Sequence, residues 1–203
     1  MRQYPMDGFE RKKEQSQKAI IEAAMELFRV HGFKKASISD IAHAADVSPV
    51  TIYNHFGSKE GLVRETVKAL LTRMLEKVRG IVHEDKPFPE KLETIIFDKA
   101  KLASDYRGEL MREMARSDPE LADWVDNFFM GDARKVTLEL MDEGKREGYV
   151  APRLSNEMLL VYIELIRRGA MASPDLVAQI EPDVEVYRQL NSLFIYGLVG
   201  KKD

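Results

Sequence analysis

Residues 37–62 read SISDIAHAADVSPVTIYNHFGSKEGL. Two short apolar periodicities lie in that stretch with a turn between them. Ile38, Ile41, Ala42 and Ala45 follow the three- and four-residue spacing of one helical face, and Ser37 stands in front of them as a side-chain N-cap. Asp46 falls where the chain must turn, and an Asx residue tolerates the left-handed conformation of a tight stop. Ser48-Pro49 opens a second helix with a hydroxyl cap and a proline at the first helical position, where its missing N–H is not needed. Phe56-Gly57 ends that helix and Ser58 caps the next. Helices this short are unstable alone, so the sequence predicts that they pack on one another and on a preceding helix through Phe28, Ile41, Val47, Ile52 and Phe56.

Outward from this centre the helical period continues. A helix over 16–31 presents Ile20, Ala23, Ala24, Leu27 and Phe28 on one face and stops at Gly32, and a long helix covers 58–79. Beyond Lys86-Pro87-Phe88-Pro89, helices are predicted over 90–105, 108–116, 119–147, 155–171 and 182–200, separated by proline-containing breaks. No segment alternates as a strand does. The fold class is therefore all-α: a flexible N-terminal arm over 1–15, a three-helix helix-turn-helix domain over 16–62, and a helical bundle over 63–203.

The residues left outside the packed face of the second short helix carry the chemistry. Ile52 and Phe56, four apart, face inward, leaving Val50, Thr51, Tyr53, Asn54 and His55 outward. A polar and aromatic surface with almost no charge is unusual for a solvated helix and suits a DNA major groove. Asn54 can bond base edges, Val50 can touch a thymine methyl, and Thr51, Tyr53 and His55 can reach phosphates. Lys59 sits in the first turn of the next helix, where the dipole disfavours a cation unless an anion is shared with the helix N-terminus. With Ser37, Ser48 and Pro49 these residues make the candidate DNA-binding surface.

The ordered series Ile20-Ile21-Glu22-Ala23-Ala24, Leu27-Phe28, Gly32-Phe33, Ser37, Ile41-Ala42, Ala45, Val47-Ser48, Ile52-Tyr53, His55-Phe56, Ser58-Lys59 and Leu62 resembles the tetracycline-repressor (TetR) family of bacterial one-component regulators. The likeness covers about residues 16–64, under a third of the chain. It implies that Ser37, Tyr53, His55 and Lys59 hold phosphates and that Pro49, Val50, Thr51 and Asn54 lie against the bases. Two positions depart from the family pattern: Asp46 stands where glycine is usual, and Ser16 and Gln17 stand where an arginine is common. Lys18 or the Arg11-Lys12-Lys13 run is placed to replace that arginine's phosphate contact.

For the second half the resemblance implies a ligand-binding domain whose last two long helices pair with their two-fold mates. Val186, Leu190, Leu193, Phe194 and Gly197 form a stripe over 182–200 that fits such a dimer interface, and a buried core stripe would look the same. Aromatic and methionine side chains concentrate in this half, and Phe97, Met114, Trp124, Phe128, Met141, Tyr162 and Ile166 are the candidate lining of an apolar effector pocket. Asn127, Tyr162, Glu164 and Arg167, polar positions within apolar stripes, are further clues to a pocket, and each reads more simply as a solvated or dimer-rim residue.

Composition limits the alternatives. The chain has 203 residues, 44% hydrophobic and 32% charged, with no cysteine, so disulfide frameworks, thiolate metal sites and cysteine nucleophiles are excluded. No stretch approaches the ~18 apolar residues of a membrane span, and the N-terminus lacks a signal-peptide core, which points to a cytoplasmic protein without membrane partners. Residues 1–80 carry a net charge of +4 and residues 81–203 one of −7, so the first part is the one suited to an anionic partner. His31, His43, His55 and His83 lie on different predicted elements, and neither a metal set nor a phosphate loop nor a nucleophile elbow is present. The expectation is a non-enzymatic regulator, most simply a repressor, that needs no cofactor or metal. Its partners are a double-stranded operator, a second copy of itself and a small-molecule effector. An adaptor that had kept the fold without binding DNA would have no reason to keep Thr51, Tyr53, His55 and Lys59 together.

Overall fold

A computed structural model of the chain describes residues 8–106, 109, 113, 118–173, 185, 189 and 193. Among these, eight helices follow one another: α1 (Gly8–His31), α2 (Ile38–Ala44), α3 (Pro49–Phe56), α4 (Lys59–Val82), α5 (Phe88–Asp105), α6 (Pro119–Met130), α7 (Asp132–Arg146) and α8 (Asn156–Ala172). No strand occurs among the described residues, and the fold is all-α. They form two compact units, the first ending at Leu70 and the second starting at Leu71, both positions lying within α4.

The first unit is built around α1. Ile20, Ala24 and Phe28, one turn apart in succession, are fully buried with Ile41 of α2, Ile52 of α3 and Leu62 and Val67 of α4. Phe28 also stacks on Phe33, with ring centroids 4.7 Å apart. Val47 and Phe56, expected in this core, are only half-buried. α1 differs most from expectation, because it begins at Gly8 instead of near residue 16 and takes in much of the arm expected to be flexible. The intervening Glu, Arg, Lys and Gln residues are good helix formers, and Glu10 lies in the first turn where the dipole favours an acid.

The second unit packs α5 and α7 against the last turns of α4. Its core comprises Ile81, Val82, Phe88, Leu92, Ile95, Ile96, Val136, Leu140, Met141, Val150 and Leu159, with Tyr162 partly buried against it. Lys91 lies inside this unit, where its ammonium donates to the Val82 carbonyl at 2.8 Å and to Glu143 Oε1 at 2.6 Å. That double pairing satisfies a charge whose burial alone would be unfavourable. The single helix predicted over 119–147 is two helices. Gly131 breaks it with φ −99° and ψ −109°, and a Cβ there would come within 2.8 Å of the Asn127 carbonyl oxygen. Apolar periodicity runs through the break, which is why the pattern alone did not reveal it. The predicted helices over 108–116 and 182–200 lie largely outside the described residues.

Candidate DNA-recognition surface

Each short helix of the first unit is bounded by local hydrogen bonds that the sequence specifies. Ser37, extended at φ −93° and ψ 154°, caps α2 by accepting from the Asp40 amide at 3.1 Å, and its hydroxyl donates to Asp40 Oδ2 at 2.6 Å. After α2 the chain turns at Asp46, whose φ of 53° is the left-handed conformation anticipated for an Asx residue there. Ser48 caps α3 by accepting from the Thr51 amide at 3.1 Å, its Oγ lies 2.9 Å from Thr51 Oγ1, and Pro49 occupies the first turn. Ser58 accepts from the Gly61 amide at 3.0 Å to begin α4.

Gly61 fixes the far end of α3. A Cβ at this position would overlap the Phe56 carbonyl oxygen, so the first turn of α4 can approach the end of α3 only because residue 61 has no side chain. α3 is thereby held by a cap at one end and a backbone contact at the other, with Ile52 as its buried anchor.

On this anchored helix Val50 is 65% and Tyr53 50% exposed, and Pro49 and Asn54 are also exposed, while Thr51 and His55 are half-buried. The nominated residues of α3 therefore share one accessible surface. Ser37 and Ser48 use their hydroxyls as caps at the starts of α2 and α3. Lys59 is half-buried and donates to the Lys34 carbonyl at 2.9 Å, which relieves its unfavourable position at a helix N-terminus. Burial first, and then the nearby Lys13 ammonium, hold the His55 imidazole below its usual range. Lys13 is carried on α1 because that helix extends back to Gly8, a placement invisible when the helix is started at residue 16.

In the second unit, Trp124 and Phe128 of α6 are half-buried and stacked at 5.0 Å, and Phe129 meets Phe128 edge-on at 5.3 Å. Arg167 of α8 lies over the Phe129 ring at 5.1 Å and donates to Asp126 and Glu164, each at 2.7 Å. The hydrogen bond from Arg167, reinforced by Arg168, holds Glu164 at about 2 against an opposing effect of burial. Glu164 and Arg167 thus belong to an ordered network joining α6 to α8. Of the candidate pocket residues, Met141 is buried in the core, Tyr162 is packed against it, Phe97 and Ile166 are exposed, and Met114 lies outside the described residues. Of the candidate dimer residues only Leu193 is described, and it is exposed; Val186, Leu190, Phe194 and Gly197 lie outside.

The sequence reading did not name the outward stripe of α8. Met158, Val161 and Leu165, at three- and four-residue spacing, are 58%, 51% and 65% exposed. Their periodicity was available in the sequence, but it does not distinguish a stripe facing solvent from one facing a core. Among the described residues no three His, Asp or Glu side chains are grouped to hold a metal ion, and no helix is long and apolar enough to cross a membrane.

Residues 20–66 match the family described as bacterial regulatory proteins, tetR family. The chain is 38% identical over 77 residues to the uncharacterized HTH-type transcriptional regulator YvdT of Bacillus subtilis (strain 168), an alignment covering 38% of this chain and 40% of that protein. It is 27% identical over 163 residues to the HTH-type transcriptional regulator UidR of Escherichia coli (strain K12), covering 75% of this chain and 78% of UidR. In fold it resembles the transcriptional regulator FadR from Bacillus subtilis, solved in complex with stearoyl-CoA, with a TM-score of 0.63 and 21% identity over 89% of this chain and 98% of that one.

Proposed function

The chain belongs to the TetR family of bacterial transcriptional regulators, and from that premise we propose that it is a cytoplasmic, ligand-responsive repressor acting as a homodimer on a near-palindromic operator. α3 enters the major groove, with Pro49, Val50, Thr51 and Asn54 against base edges. Ser37, Ser48, Tyr53, His55 and Lys59 border the phosphates. The observation that carries this reading is the outward face of α3, hydrogen-bonding and aromatic, on a helix anchored at both ends. On DNA, Lys59 exchanges the Lys34 carbonyl for a phosphate oxygen, a stronger, charge-assisted partner. His55, deprotonated more readily than an ordinary histidine, serves as a neutral donor unless the phosphate field raises its proton affinity.

Dimerisation is supported by the aliphatic stripe of α8, which needs a dry partner. An effector with an apolar body, held by the second unit, shifts the two α3 helices away from the operator's spacing. It does so only to the extent that it binds the non-fitting state more tightly. The FadR complex with stearoyl-CoA supports testing acyl-type molecules first.

Selection of genomic fragments bound by the full chain, followed by footprinting, should yield two related half-sites about 34–36 Å apart. On that site Lys59→Ala should reduce the slope of log affinity against log salt by about one unit and weaken unrelated DNA equally. Failure to enrich any sequence would overturn the repressor reading, and an unchanged slope would remove Lys59 from the phosphate contacts.

A further inference from the structure

Between α1 and the end of α2 the first unit carries an open groove of about 500 Å³. Ala19, Ala23 and Leu27 of α1 and the alanines at the end of α2 give it an apolar lining, and the exposed carboxylates of Glu22, Glu26 and Asp46 edge it. These acids stand in the part of the chain whose net charge is positive. Asp46 is the least expected of them, because glycine, the residue usual there in the family, makes the same left-handed turn. The turn accounts for its backbone and leaves its carboxylate unexplained.

A groove of small apolar side chains edged with carboxylates repels a polyanion and complements a side chain that is apolar along its length and cationic at its tip. Lysine and arginine are built in that way. The same helix supplies one. Lys12 stands seven residues before Ala19, and Ala19 seven before Glu26, so at 3.6 residues per turn the three share one face, with Gln15 and Glu22 between them. All five are exposed. Lys13, about 100° further round, acts on His55 of α3, so Lys12 is directed elsewhere. The exposed stripe of α1 is thus basic near its start and acidic towards its end.

We infer that this face of α1 is a docking surface for α1 of a second copy of the chain, the two helices crossing antiparallel about a two-fold axis at Ala19. In that arrangement Lys12 of each copy lies opposite Glu26 of the other, its stem over the alanines and its ammonium among the carboxylates. One rotation satisfies both ends of the contact at once. Ala19, with only a methyl group, lets the helix axes approach to the distance of about 8–10 Å usual for packed helices.

Glu26 accepts from Arg29 of its own helix at 2.9 Å, but both side chains are exposed and such a pair contributes little, so Lys12 can join or replace it. The contact is separate in kind from the aliphatic stripe of α8. Ion pairs around a small apolar centre weaken as salt is added, whereas a stripe of aliphatic side chains does not.

The chain has no cysteine, so single cysteines introduced into the full chain report the contact directly, without DNA. At high protein concentration and low salt, Ala19→Cys should form an intermolecular disulfide about ten-fold faster than Glu14→Cys, which is exposed on the same helix about 140° away. Each rate is first divided by that thiol's reaction with a small disulfide, which removes differences in thiol reactivity. Salt at about 1 M should abolish the difference, and so should Glu26→Lys. Lys12→Glu combined with Glu26→Lys should restore it, because the two charges are exchanged. Glu26→Gln serves if the lysine variant does not fold. The linkage should persist in Leu165→Glu, which places a charge in the α8 stripe. Equal rates for the two cysteines, a difference that neither salt nor Glu26→Lys alters, or an exchange of charges that restores nothing would overturn the contact. Equal rates together with saturable spermidine binding that Glu26→Lys removes would assign the groove to a free polyamine instead. Loss of the linkage in Leu165→Glu would make it an extension of an α8 dimer and overturn it as a separate interface.

Discussion

The outward residues of α3 and α8 differ in what they offer a partner. Thr51, Tyr53, Asn54 and His55 of α3 present hydrogen-bonding groups, whereas Met158, Val161 and Leu165 of α8 present only carbon and sulfur. A surface of the first kind loses little by remaining hydrated and gains directional bonds when a partner supplies donors and acceptors in register, as base edges and phosphates do. The second kind gains chiefly by excluding water, which a matching apolar surface accomplishes and a polyanion does not. In the proposed dimeric repressor the two helices divide the labour, α3 being suited to nucleic acid and α8 to a second copy of the chain.

The sharpest way to break this comparison is to make α8 polar. Leu165→Glu would force a charge into a dry interface, an unfavourable term of roughly 3 kcal/mol or more. The variant should sediment as a monomer with an unaltered melting profile for the isolated subunit, since Leu165 is exposed there, and operator affinity should collapse. A variant that remains a dimer of wild-type strength would show that the stripe lies outside the interface.

A somewhat smaller effect should come from the support of α3. Gly61→Ala places a methyl group on the Phe56 carbonyl, and overpacking of this kind costs about 2–3 kcal/mol. The loss should appear in the first unit, as faster amide exchange in α3 and weaker operator binding, with the core around Phe88 and Leu140 protected as before. Unchanged exchange in α3 would mean that the first turn of α4 does not set its position.

The smallest effect should fall on recognition alone. Asn54→Ala removes an exposed side chain, so melting should stay constant while affinity falls by roughly 1–3 kcal/mol for operators carrying the preferred base at a single position. Equal loss on every sequence would move Asn54 from the bases to the backbone.

The legibility of the two units follows the range of the interactions that build them. Ser37, Asp46, Ser48-Pro49 and Ser58 act on amides or torsions within three residues of themselves, so α2, α3 and the start of α4 could be placed from the sequence with their caps. The inward placement of Ile52 followed from helical spacing. The contact from Lys59 to the Lys34 carbonyl spans 25 residues, and that from Lys91 to Glu143 spans 52; no periodicity announces either. The joining of Arg167 to Asp126 across 41 residues likewise put two apparent rim residues, Glu164 and Arg167, into one network with Asp126.

The sequence by itself determined the helical class, the head with its turn, and the residues available on α3, because caps, proline, left-handed torsions and the 3.6-residue period are local properties of the chain. Only the tertiary structure decided which apolar stripes are buried and which are exposed. Leu140 and Leu165 belong to equally periodic helices, and one lies in the core while the other faces outward. Whether a side chain is desolvated depends on every element packed around it, and no local property of the chain fixes that.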